Sequence, residues 1–189
     1  MKRVFVAALV FCAAVFPTIS TGAGAASIGF VGGFVSDDTA ASAYCASTGG
    51  VVLLRVPEYG TNGGIALVLA NPRGFCEYTA GNGSSIDVLN STLYAVKPTL
   101  AALAYYAKVP PGSCEGNPAS CYCTLLGGSD SFGGINAAGG GWVIKANVLE
   151  ACIFPDESSI DSFGLFYHSA GIIRGTNLAK VLRYKGPPK

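Results

Sequence analysis

Hydrophobic and polar positions divide the chain into one long apolar run and a series of short ones. The long run, Val4 to Phe16, follows Lys2 and Arg3, and Pro17 ends it before small residues lead to Ala23-Gly24-Ala25. Its 13 residues fall short of the about 20 that a membrane-spanning helix needs. A basic start, a short apolar stretch and an A-x-A site mark a cleaved export signal, so residues 1–25 are expected to be removed. Further on, Val51 to Val56 and Ile65 to Ala70 are strand-like, with Gly60-Thr61-Asn62-Gly63-Gly64 as the turn between them. Ser42 to Ser47 and Ser120 to Leu126 predict short helices, each stopped by a Gly-Gly pair. A second hairpin is expected around Gly133 to Gly141, with Trp142 to Ile144 starting the returning strand. Ser84 with Asp87, and Ser158 with Asp161, have capping-box-like spacing before apolar stretches, which predicts a helix start at each.

These signals come in pairs because the sequence repeats itself. Ala41-Ser42-Ala43-Tyr44-Cys45 with Gly49-Gly50 answers to Ala119-Ser120-Cys121-Tyr122-Cys123 with Gly127-Gly128. Cys76 answers to Cys152, Ser84-Ser85-Ile86-Asp87 to Ser158-Ser159-Ile160-Asp161, and Tyr106-Ala107-Lys108 to Tyr184-Lys185. The expected fold is therefore α+β, in two tandem disulfide-stapled modules, each a short helix, a β-hairpin and a longer helix. Their expected bounds are 26–108 and 117–189, with a linker over 109–116 that includes Val109-Pro110-Pro111-Gly112.

The repeat also pairs the cysteines. Cys45 with Cys76 and Cys123 with Cys152 are equivalent pairs, which leaves Cys114 for Cys121. The first-copy positions of that last pair hold Ser36 and Ala43, so both cysteines are absent there together. Six cysteines in an exported chain read as three disulfides. Closing a loop of about 30 residues contributes roughly 3.5 kcal/mol in the chain-entropy treatment, much of a small module's stability.

Composition narrows the function classes. Half the chain is hydrophobic, 12% is charged and 26 residues are glycine. Without residues 1–25, ten basic residues face eleven acidic ones, and no basic stripe suits nucleic acid.

Asn117-Pro118-Ala119-Ser120-Cys121-Tyr122-Cys123, Gly127-Gly128, and Cys152-Ile153-Phe154-Pro155-Asp156 with Ser158-Ser159 resemble the DUF333 family. The match spans roughly Asn117 to Gly171, and the first copy matches weakly through Ala41-Ser42, Tyr44-Cys45, Gly49-Gly50 and Cys76. The resemblance implies a small cysteine-containing domain of exported bacterial proteins, sometimes labelled haemolysins. Ile160 stands where the family usually carries a further cysteine, and no cysteine lies near Gly171, so the family's own bridge pattern does not transfer whole.

Candidate chemistry is sparse. His168 is the sole histidine, no G-x-S-x-G elbow accompanies it, and a surface or helix-end position is expected. Cys114, Cys121 and Cys123 with His168 fit zinc spacing poorly, and bridged cysteines cannot ligate. Glu150, Asp156, Glu157 and Asp161 flank the Pro155 turn and are expected to be solvated turn acids and a helix cap, with acid–base work on a glycan as the sharper alternative. The glycine clusters form no phosphate-binding fingerprint. Asn82-Gly83-Ser84 and Asn90-Ser91-Thr92 are sequons that act only in a eukaryotic host.

The sequence thus points to a secreted or periplasmic protein without cofactor, metal or catalysis, which binds a macromolecule, either a protein or an anionic surface. Thr61, Asn62 and Asn136 at the glycine-rich tips, and Arg174, Arg183 and Lys185 in the basic C-terminal stretch, are the candidate binding residues. A membrane-active, haemolysin-like protein is the first alternative and a hydrolase the second.

Overall fold

The computed structural model describes residues 35–63, 65–130 and 138–187; the expected export signal, residues 1–25, and Asn136 lie outside them. A helix, α1 (Val35–Ser47), leads through Gly49 and Gly50 into strand β1 (Val51–Tyr59). A short β2 (Leu67–Val68) returns beside the end of β1, and β3 (Arg73–Thr79), β4 (Ser85–Leu89), α2 (Asn90–Tyr94) and α3 (Leu100–Ala107) complete the first half. The second half runs α4 (Pro118–Leu125), β5 (Gly140–Ile144), β6 (Asn147–Leu149), β7 (Ala151–Ile153), β8 (Ser159–Asp161), α5 (Ser162–Ser169) and α6 (Leu178–Val181).

Strand order is β6-β5-β1-β3-β4-β8-β7, with β2 off this path against β1. Every pairing is antiparallel. The two ends of this order, β6 and β7, are separated along the chain by Glu150 alone. A sheet whose opposite edges are joined by one residue must curl until they meet, and it forms a nearly closed barrel.

This overturns the expectation of two separate helix-hairpin-helix modules. Strands of the two halves pair with each other, β1 with β5 and β4 with β8. The expected second hairpin is not self-contained, because Trp142 in β5 faces Pro57 of β1. The first is present but short, since β2 meets β1 only at Glu58–Val68 and Tyr59–Leu67. Ser85 to Asp87 and Ser159 to Asp161 are strand, and the helices begin later, at Asn90 and Ser162. The serine–acid spacing that predicted helix caps instead follows a tight turn. Asn82 Oδ1 accepts from the Ser84 N–H and hydroxyl, and Asp156 Oδ1 from those of Ser158.

Opposed side chains on the outer face of the sheet run Val52, Cys76, Val88, Ile160, Cys152. This row and the helices over it form a single core that contains Cys45, Cys76, Cys123 and Cys152 together with Leu93, Tyr105, Leu165 and Leu178. Three disulfides form among the described residues, Cys45–Cys76, Cys114–Cys121 and Cys123–Cys152, the pairs read from the repeat. Gly50 and Gly128 lie flat against the first and third bridges. A Cβ on either would overlap the sulfur of Cys76 or Cys152. The barrel's inner face holds a smaller cluster, Phe75, Leu89, Trp142, Leu149 and Ala151, with the Phe75 and Trp142 rings 5.1 Å apart.

Candidate functional site

The inner face carries a second row, which is polar. Glu77 faces Asp87 across β3 and β4, and Asp161 faces Ala151 across β7 and β8. Between β4 and β8, Val88 faces Ile160, so the antiparallel register sets Asp87 opposite Asp161. Three carboxyl groups therefore stand side by side on one face, where like charges directly opposite destabilise a sheet.

Arg55 partly compensates. It sits on the inner face of β1, is 1% exposed, and pairs with Asp87 at 3.2 Å and with Glu77 at 3.7 Å. Its Nη1 also donates to Asn147 Oδ1 at 2.7 Å. Burial pushes the Asp87 carboxyl up to about 6, and the Arg55 guanidinium opposes that rise. Asp161 has no ion-pair partner among the described residues. Burial and then the Asp87 charge push it up to about 7, against the N–H groups of Gly164 and Phe163 and the Arg174 charge. The Phe163 N–H donates to Asp161 Oδ1, so the side chain also caps α5. Near neutral pH the opposed pair holds a proton, and its two titrations belong to the pair together.

A polar pocket of about 230 Å³ opens onto these groups, lined also by Ser85, Asn147, Glu150, Phe163 and Arg174. Glu150, at the point where the barrel edges join, is raised by burial while a hydrogen bond from Asn117 at 2.7 Å opposes the rise. Arg174 reaches in from the segment after α5, donating to the Ser85 carbonyl at 3.1 Å and lying over the Tyr167 ring.

Of the sequence-predicted binding residues that are described, only Arg174 lines this pocket. Thr61 and Asn62 lie in a turn held against the other glycine-rich loop, Gly60 N–H to Gly139 and Asn62 N–H to Ala138. Arg183 stacks over Tyr94 and donates to its carbonyl, and Lys185 Nζ donates to the Lys180 carbonyl. His168 is at a helix end as expected, yet it is buried rather than at the surface. Its ring stacks on Tyr105 at 3.7 Å, and burial followed by the Lys108 charge lowers it to about 4. Asp156 and Glu157 serve the fold. Burial raises Asp156, but hydrogen bonds from Ser158 and the Leu100 N–H outweigh it and hold the group low, while Glu157 pairs with Arg73. Among the described residues no group of His, Cys, Asp and Glu is arranged to hold a metal ion. Asn90 is 1% exposed, so its sequon is shielded in the folded chain.

The sequence reading missed Arg55, Glu77, Asp87 and Asn147. A signal for two of them was present: Arg55 interrupts the apolar run Val51 to Val56, and Asp87 belongs to the duplicated Ser-Ser-Ile-Asp block. No family model, no curated protein and no solved structure matches the chain.

Proposed function

We propose that the protein is exported and acts by binding another molecule at the barrel pocket, with no catalysis of its own. The observation that carries this reading is the row Glu77, Asp87 and Asp161, which faces a pocket. Setting like charges in register costs stability, and such cost is characteristic of functional sites. Four carboxyl groups and two guanidinium groups line the pocket, so its complement is a compact ammonium or guanidinium group carried by an extracellular or periplasmic macromolecule. Export is supported by the signal-like N-terminus, by three disulfides and by the resemblance of the second half to DUF333. No described helix is long and apolar enough to cross a membrane.

Prior engagement of the acids weighs for binding over hydrolysis: Asp87 is tied to Arg55, Glu150 to Asn117, and Asp161 caps a helix. The membrane-active alternative draws less support from Arg174 and Arg183, which are folded onto carbonyls and rings, although Lys180 and Lys185 stay exposed. The test is an amide NMR titration of the mature protein with methylguanidinium chloride, with sodium acetate and glucose as controls. The reading predicts shifts at Asn147, Phe163 and Arg174 with methylguanidinium, weaker at pH 5 than at pH 8 because protonation of the carboxyl pair removes its charge. No shift with methylguanidinium, or turnover in a glycan, ester or peptide panel that Asp161→Asn abolishes, would contradict it.

A further inference from the structure

One strand edge is left open. β2 pairs only with β1, at Glu58–Val68 and Tyr59–Leu67. The Leu69 N–H donates to the Pro57 carbonyl at 2.9 Å, so Leu69 turns its backbone groups toward β1, and Leu67, two residues back, does the same. Val68 lies between them and turns its N–H and C=O outward. Neither Ala66 nor Ala70 makes a backbone hydrogen bond among the described residues. The side chains along this edge are apolar and uncovered: residues 65–72 are all exposed, Ile65 by 85% and Leu67, Val68 and Leu69 by at least 50%. An open edge is ordinarily protected by charged side chains or a proline, since its free groups invite another strand. Here no charge lies between Glu58 and Arg73, and Pro72 comes only after the apolar run, where it ends it.

The order of the residues specifies what can cover the edge. Ala66-Leu67-Val68-Leu69-Ala70 reads the same in both directions. An antiparallel strand of the same sequence therefore sets Ala66 against Ala70, Leu67 against Leu69, and Val68 against its own counterpart. In that register the two Val68 residues exchange a pair of hydrogen bonds, and Ala66 and Ala70 take the next positions of that kind. The leucines meet at the closer, non-hydrogen-bonded positions. A two-fold axis through Val68 uses up both edges, so the contact closes on itself.

We propose that β2 is a docking edge for a second copy of this chain, paired antiparallel about Val68 to form a two-fold dimer. Five paired residues a side bury less than the roughly 1,200 Å² that marks off weak, transient complexes, so the Kd is expected on the order of 100 μM. None of these residues lines the barrel pocket, so association and pocket binding are measured separately. The test is sedimentation velocity of the protein together with amide NMR on dilution, both from about 1 mM to about 10 μM, a range that brackets a weak complex. The expected result is a shift from dimer to monomer, with dilution changes concentrated at Ala66, Val68 and Ala70. Val68→Lys places like charges opposite each other across the two-fold axis, while within its own chain the new side chain faces Glu58 and suits the fold. It should raise the Kd at least about tenfold. Leu125→Lys, at an exposed apolar position on α4, should leave the Kd unchanged. A monomer throughout, assembly beyond the dimer, dilution changes confined to other surfaces, a dimer unaffected by Val68→Lys, or one weakened equally by Leu125→Lys would each overturn the proposal.

Discussion

Arg55 shows how a single residue links stability to the site. Its guanidinium is buried beside Asp87 and Glu77, so truncation leaves a carboxyl uncompensated inside the barrel. Arg55→Met is expected to destabilise the protein by about 3 kcal/mol in urea denaturation, and the double variant with Asp87→Leu to recover most of that loss. Asp161 acts in the opposite direction at high pH. With its folded pKa raised from 3.8 to about 7, the folded state binds more protons than the unfolded one across that window, so stability falls as pH rises through it. Asp161→Asn keeps a capping side chain and cannot ionise. It should therefore be more stable than the parent at pH 8, by on the order of 2 kcal/mol, with little difference near pH 4. His168 has the reverse sign. Its folded value, lowered to about 4 from 6.5, means stability is lost as pH falls through that interval. His168→Phe, which keeps an aromatic ring against Tyr105, should reduce the loss seen between pH 6.5 and 4 in thermal melts.

At the level of elements, the legible parts were those set by local chemistry. The helix α4 was expected from Ser120, and it starts two residues earlier because the Asn117 side chain accepts from the N–H groups of Ala119 and Ser120 ahead of Pro118. The Gly-Gly pairs end α1 and α4 because a flat residue must pass each disulfide as well as because of C-cap conformation. Gly128→Ala should therefore lower the yield of correctly bridged protein, measured by peptide mapping under non-reducing conditions. Ser84 to Asp87 was misread for a physical reason. A serine after an Asx turn and a serine at a helix N-cap offer the same side-chain oxygen to the backbone, and only the following pairing decides between strand and helix. That pairing, β4 with β8, joins residues far apart along the chain, so the carboxyl row could not be read from either segment alone.

Where the sequence suggested two modules, the chain builds one object. The order helix, glycine pair, strands, turn and helices occurs in each half, yet the halves contribute to one sheet and one core. Cross-half ties extend to the helices, as the Asp156 carboxyl and Ser158 hydroxyl accept from the Leu100 and Ala101 N–H groups at the start of α3. Removing the Cys45–Cys76 bridge with a pair of alanines should cost about 2–5 kcal/mol, and a single cooperative transition should persist, because both halves share their core. The account depends most on Asp87 and Asp161 facing each other inside the barrel. Carboxyl carbon NMR of the protein, titrated from pH 3 to pH 9, tests this directly. The account predicts that these two groups titrate together and hold a proton until near pH 7, with the Asp87 titration changed by Asp161→Asn. Two independent titrations near pH 4, with Asp87 indifferent to the loss of Asp161, would contradict it.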